Sequence, residues 1–217
     1  MIKKGLLLLI SILLLSACNN NSDTSEQKAL REKLIEITEL TGDLELEKGN
    51  IDEAINEAAS LGLQDEERDW FVRSFLINIS AGEEIENKEQ VYEDSQLRML
   101  YEQTWQDLAF EKYGVELDKE RLEEIVEMTL NPIKEELSSE QEEELEILIY
   151  LSGALGYSID EFFSIFDRHH YERWAIGEKL YPILEEQYEL KENLEISVKY
   201  RMEVIDEIVD TQSGALN

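Results

Sequence analysis

An all-α fold is predicted by three observations. Only two Pro and ten Gly occur in 217 residues, which leaves little turn material. Long segments repeat apolar residues at spacings of three and four rather than alternating, which is the period of a helix. Three Trp, nine Tyr and six Phe supply core material that disordered acidic chains lack. With no internal repeat and no second composition zone, the pattern describes one elongated multi-helix domain over residues 28–217, behind a targeting segment and a tether.

The first element is the targeting segment. Met1 to Lys4 form a short basic region, and Gly5 to Leu15 an almost wholly apolar run of eleven residues. A membrane-spanning helix needs about 20 apolar residues, so the run reads as a signal peptide over 1–17. The sequence Leu15-Ser16-Ala17-Cys18 resembles the lipobox of bacterial lipoproteins. That resemblance implies cleavage between Ala17 and Cys18 and a diacylglyceryl group on the Cys18 thiol. Two acyl chains, each methylene contributing about 0.8 kcal/mol on burial, would hold the protein on the extracytoplasmic face of a bacterial cell membrane. Cys18 is the single cysteine, so no intrachain disulfide forms.

Residues 18–27 form the second element. Asn19 to Gln27 contain no large apolar side chain and read as a flexible tether with a reach of about 15–20 Å. Helices are then expected at 26–40, 51–61, 65–80, 87–113, 118–131, 139–155, 158–189 and 194–210. Asn50 with Glu53, Ser139 with Glu142 and Ser158 with Glu161 have the spacing of capping boxes. On the fourth helix Leu97, Leu100, Tyr101, Thr104, Trp105 and Leu108 share a face. The fifth places Leu122, Ile125, Val126, Thr129 and Leu130 together before Asn131-Pro132 disturbs it. The seventh, read as one long helix kinked at Pro182, puts Ile159, Phe163, Phe166, His170, Trp174, Tyr181, Leu184 and Tyr188 in register. The last carries a wide apolar arc through Val198, Tyr200, Met202, Val204, Ile205, Ile208 and Val209. That arc is either sandwiched in the core or partly a docking surface.

Charge excludes one class of partner. A formal net charge of −31 offers no basic surface for nucleic acid, whose binding depends on displacing counterions from phosphates. The acidic runs at Glu135-Glu136 and from Glu140 to Glu146 lack the Gly-turned, Asp-rich loop of a calcium site and read as solvated helix faces. No metal or other cofactor is expected. Asp167 with His170, and His169 with Glu172, have ligand spacing on a helix, but no other His exists to complete a site. In that register His170 faces the core and His169 the surface. No Gly-x-Ser-x-Gly elbow is present, and no enzymatic activity is expected.

The stretch from Asn87 to Leu190 resembles the N-terminal chaperone module of SurA/PrsA-type extracytoplasmic folding factors. One point of likeness is Leu108-Ala109-Phe110-Glu111-Lys112-Tyr113-Gly114-Val115-Glu116-Leu117 followed by Asp118-Lys119-Glu120-Arg121-Leu122, where a helix closes on Gly and the next begins after an apolar pair. Another is Leu155-Gly156-Tyr157-Ser158-Ile159-Asp160-Glu161-Phe162-Phe163, similar to the start of the family's long helix. The resemblance implies binding of unfolded or partly folded exported polypeptides. The parvulin prolyl isomerase domain common in that family has no room here, since 27 residues follow Leu190. Trp105, Phe110, Phe162, Phe163, Phe166 and Trp174 are the candidate peptide-binding side chains. The alternative is an envelope lipoprotein that docks one folded partner.

Overall fold

The computed structural model describes residues 23–39, 46–83, 85, 87–137 and 145–214. Among these the chain is helical throughout, with no strand. In order, the helices are α1 (Asp23–Glu39), α2 (Lys48–Ser60), α3 (Asp65–Ser80), α4 (Lys88–Tyr113), α5 (Lys119–Leu137), α6 (Glu146–Leu155), α7 (Ile159–Glu161), α8 (Arg168–Tyr188) and α9 (Asn193–Gly214). A π-helical turn over Phe162–Phe166 joins α7 to α8. Ala17, Cys18 and the first part of the tether lie outside the described residues, as does the Ser139–Glu142 capping box. Residues 23–27, which the sequence assigns to the tether, are helical; an acidic residue followed by Thr and Ser suits a first helical turn.

Helix ends follow the local chemistry at several predicted points. Asn87 caps α4 by accepting from the Glu89 N–H at 2.9 Å. Gly114 closes that helix in the left-handed region (φ 69°), which lets the Val115 N–H reach back to the Ala109 carbonyl at 3.0 Å. Asp118 then accepts from the Arg121 N–H at 3.2 Å at the start of α5. Gly156 ends α6 in the same way, with the Tyr157 N–H on the Ser152 carbonyl at 2.9 Å. Ser158 and Glu161 form a complete capping box.

Two expected helix ends differ. α2 begins at Lys48 behind Glu47, so Asn50 is already inside the helix and makes no capping box. α5 runs through Pro132 to Leu137. The helical donor that Pro132 removes would have reached the Met128 carbonyl, on a face where Met128 is half exposed, so water can take its place.

Two apolar clusters form the core. The first gathers Ile51, Phe71, Val72 and Phe75 from α2 and α3, Leu122 and Ile125 from α5, Leu151 and Leu155 from α6, and Phe162, Phe163 and Phe166 from the π turn. The second gathers Leu34 and Ile37 from α1, Tyr101, Trp105 and Leu108 from α4, Ile176, Leu180 and Leu184 from α8, and Ile196, Tyr200, Val204, Ile205 and Ile208 from α9. α4 and α8 pack on each other and contribute to both, and Leu117 touches both. The last helix is therefore sandwiched, packing on α1, α4 and α8, with Val198 left partly exposed. No helix among the described residues is long and apolar enough to cross a membrane.

The π turn corrects the predicted register of the seventh helix. Its Asp167 N–H donates to the Phe162 carbonyl at 2.9 Å, one residue further back than in an α-helix. One extra residue is thereby accommodated, and the buried face shifts by one position. Burial continues after Phe166 at Tyr171, Ala175, Ile176, Leu180 and Leu184 instead of at His170 and Trp174. Consequently His170 is exposed and His169 partly buried, the reverse of the sequence expectation.

Candidate functional site

A cleft of about 700 Å³ opens where the two clusters meet. α3 supplies Trp70, Arg73 and Ile77, and α4 supplies Arg98, Tyr101, Glu102 and Trp105. Apart from the adjacent Tyr101 and Glu102, these lie three, four or seven residues apart, so each set occupies one helix face. α8 adds His169, Arg173, Trp174, Gly177 and Tyr181, while α1 and α9 close one side with Thr38, Ser197 and Arg201. All three tryptophans of the chain line this cleft.

Four arginines converge here in a chain of net charge −31. The Arg73 guanidinium sits 4.6 Å from the Trp70 ring centroid and 4.4 Å from that of Phe166, and it donates to the Phe166 carbonyl. Burial lowers its pKa to about 10, and it stays charged at neutral pH. Arg173 lies 5.1 Å from the Trp105 ring and 5.4 Å from the Tyr101 ring, with its Nε 3.0 Å from Glu102 Oε2 but off hydrogen-bond alignment. Burial raises the pKa of Glu102, against the pull of Arg173 and Arg73. Arg201 donates through Nη2 to Glu39 at 2.8 Å, while its Nε has no acceptor among the described residues.

Arg98 is the least compensated of the four. It is 9% exposed, and neither its Nε nor its Nη2 has a hydrogen-bond acceptor among the described residues. Burial lowers its pKa, opposed chiefly by the charge of Asp94 one turn back. Asp94 itself is committed elsewhere, to Lys33 Nζ at 3.0 Å and Gln90 Nε2 at 2.9 Å. A buried guanidinium with open donors is costly unless something accepts from it.

His169 packs against Trp70 with ring centroids 5.0 Å apart and the ring planes tilted by 56°. Burial, reinforced by Arg73 and Arg173, pushes its pKa down to about 2, so it is a neutral imidazole in this setting. Neighbouring guanidinium charge also disfavours a cation beside it. Glu172, which has ligand spacing from His169 on the helix, is held by Arg168 at 2.6 Å and Gln106 at 3.1 Å. Among the described residues no group of three or more His, Cys, Asp or Glu is arranged to hold a metal ion.

The six sequence-derived peptide-binding candidates do not form one surface. Phe162, Phe163 and Phe166 are buried in the first cluster, Phe162 stacked on Phe166 and meeting Phe163 edge-on. They are core because positions 162, 163 and 166 share one helix face turned into the first cluster, and the π turn changes the register only beyond them. Trp105 is buried at the cleft, fixed by an edge contact with Tyr200, whose hydroxyl donates to the Trp105 carbonyl at 2.8 Å. Trp174 is 44% exposed at the rim, donating to Glu178 at 3.2 Å. Phe110 is 52% exposed on α4 and does not line the cleft. The arginines escaped the sequence reading; their signal is a cation on the buried side of a helix in an acidic chain, as at Arg98 between Asp94 and Tyr101.

The arrangement presents more hydrogen-bond donors than acceptors, inside aromatic walls. No protein-family model, curated protein or solved structure matches the chain.

Proposed function

We propose that the chain is a lipid-anchored, extracytoplasmic chaperone-like protein that binds unfolded or partly folded exported polypeptides without catalysing prolyl isomerisation or another reaction. The lipobox at Leu15-Ser16-Ala17-Cys18 supports the address. The binding reading is carried by one observation, the aromatic-walled cleft between the two helical clusters, with Trp174 open to solvent at its rim. Such a cleft covers an apolar segment weakly, while the surrounding carboxylates keep the complex soluble.

A second reading, docking of one folded partner, is favoured by exposed apolar side chains beside the α8–α9 turn: Ile183, Leu194 and Val198. The two readings separate in one experiment. Full-length protein in detergent is mixed with several chemically unfolded clients, and aggregation is followed by light scattering. Suppression across unrelated clients at near-equal concentration supports the chaperone role. No suppression, with one stoichiometric partner recovered on the immobilised protein, replaces it by the docking role. Fatty-acid labelling abolished by Cys18→Ala tests the anchor.

A further inference from the structure

We propose that the cleft is a binding site for a carboxylate carried on an aromatic or apolar body, gripped by the Nε–H and Nη2–H edge of Arg98. This goes beyond the chaperone reading: it concerns a ligand held inside the cleft and stands whether or not the protein suppresses aggregation.

Nε–H and the neighbouring Nη2–H of a guanidinium lie side by side and match the two oxygens of a carboxylate in a bidentate pair. Those are the two Arg98 nitrogens left without an acceptor among the described residues, on a side chain that is nine-tenths buried and lines the cleft; both nitrogens lie just beneath its surface, so a carboxylate meets them as the guanidinium turns toward it. Arg173 Nε, also without an aligned acceptor, and Arg201 Nε line the same cleft. Nearby carboxylates hydrogen-bond elsewhere or reach Arg98 by charge alone: Glu39 is paired with Arg201 and Glu178 with Arg121 at 2.7 and 2.8 Å, while Glu102, whose Oε2 also lacks an aligned donor, acts on Arg98 with Glu36 and Glu83 through charge without a hydrogen bond.

The walls define the rest of the ligand. Trp174 at the rim offers open ring surface for a flat or aliphatic body, the largely buried Trp70, Tyr101 and Trp105 contribute ring edges to the lining, and the volume suits a molecule of drug-like size or two to three residues of peptide. A singly charged carboxylate suits this place better than a phosphate. With Glu102 and Glu178 on the lining, a dianion would meet like charge, and a tetrahedral group presents more oxygens than the open donors serve.

The three tryptophans make the test direct. Full-length protein in detergent is titrated with 3-phenylpropionate, its amide and phenyl phosphate, and with Gly-Gly-Phe as free acid and as amide, while tryptophan emission is recorded. Saturable binding of a free acid, with its amide about tenfold or more weaker, is the expected result. Arg98→Met should weaken the acid by a similar factor and leave the amide unchanged, and Arg98→Lys should restore only part, because an ammonium lacks the fork. Binding by the small acid alone identifies a free organic acid as the source, and preference for the peptide acid identifies a polypeptide end. Equal affinity for acid and amide, no saturable response to either acid, or tighter binding of phenyl phosphate would overturn the proposal. The acid–amide comparison needs only the wild-type chain, so the test stands even if Arg98→Met fails to fold.

Discussion

A neutral imidazole at His169 ties stability to acidity. Its unfolded pKa is near 6.5, and the folded site pushes it down to about 2. Below pH 6.5 the unfolded chain gains a proton that the folded chain refuses. The contribution is therefore fully present above about pH 6.5 and is lost as pH falls, by at most about 1.4 kcal/mol per pH unit. Urea unfolding at pH 7 and pH 5 should show His169→Gln losing less stability across that interval than wild type, by about 1–2 kcal/mol. Equal losses would refute the buried, uncharged state of this ring. Glu203 acts lower on the scale: although burial pushes its pKa up, hydrogen bonds from Lys112 and Tyr113 bring it below its ordinary value. Its contribution is present above about pH 4.5 and disappears as pH drops through that lowered pKa.

At the level of elements, α4 and the π turn explain what the sequence could reveal and what it could not. Helix starts and stops were legible where a single residue decides them: Gly114, Gly156, Asp118 and the Ser158–Glu161 box all behave as their chemistry dictates. The buried face of α4 was less legible. It runs through Val91, Asp94, Ser95, Arg98, Tyr101, Trp105 and Leu108, and its middle is polar where it borders the cleft, so an apolar stripe misses it. The π turn has no periodic signature at all, since one accommodated residue leaves the composition unchanged and only rotates the helix beyond it. Ile165, half exposed within the turn, marks the slack. Removing Ile165 should let the segment close into continuous α-helix with the face beyond Phe166 preserved, costing about 2 kcal/mol or less. Removing Lys179 from the middle of α8 should instead turn Leu184 and Tyr188 out of the second cluster and abolish cooperative unfolding. Thermal melts followed by circular dichroism distinguish the two, and equal damage from both deletions would refute the role given to the turn.

Across the whole molecule, two clusters share α4 and α8, so neither holds its complete set of side chains without the other. One cooperative unfolding transition is the expected behaviour, and it should respond strongly to ionic strength. With a net charge of −31 the folded state is opposed by its own repulsion, which salt screens over a Debye length of about 10 Å at 0.1 M. Raising NaCl from low to moderate concentration should raise Tm; a fall would show that the cross-helix ion pairs, such as Arg121 with Glu178, outweigh the repulsion. The fold class was legible at this scale because it rests on summed period and composition. The cleft was not, because it depends on where five separate helices meet.

The same contrast between a cationic hollow and an anionic shell governs traffic. An acid drifting toward the protein is pushed back by the exterior before the guanidinium groups inside can attract it, so capture is slow and hydrophobic contact must help it through the mouth at Trp174. Added electrolyte would then quicken entry, the opposite of what is seen when opposite charges steer an encounter, and stopped-flow traces at two salt concentrations would register the difference. A protein built this way admits its ligand by patience, retaining molecules greasy enough to linger at the doorway and turning away small hydrophilic anions however abundant they are.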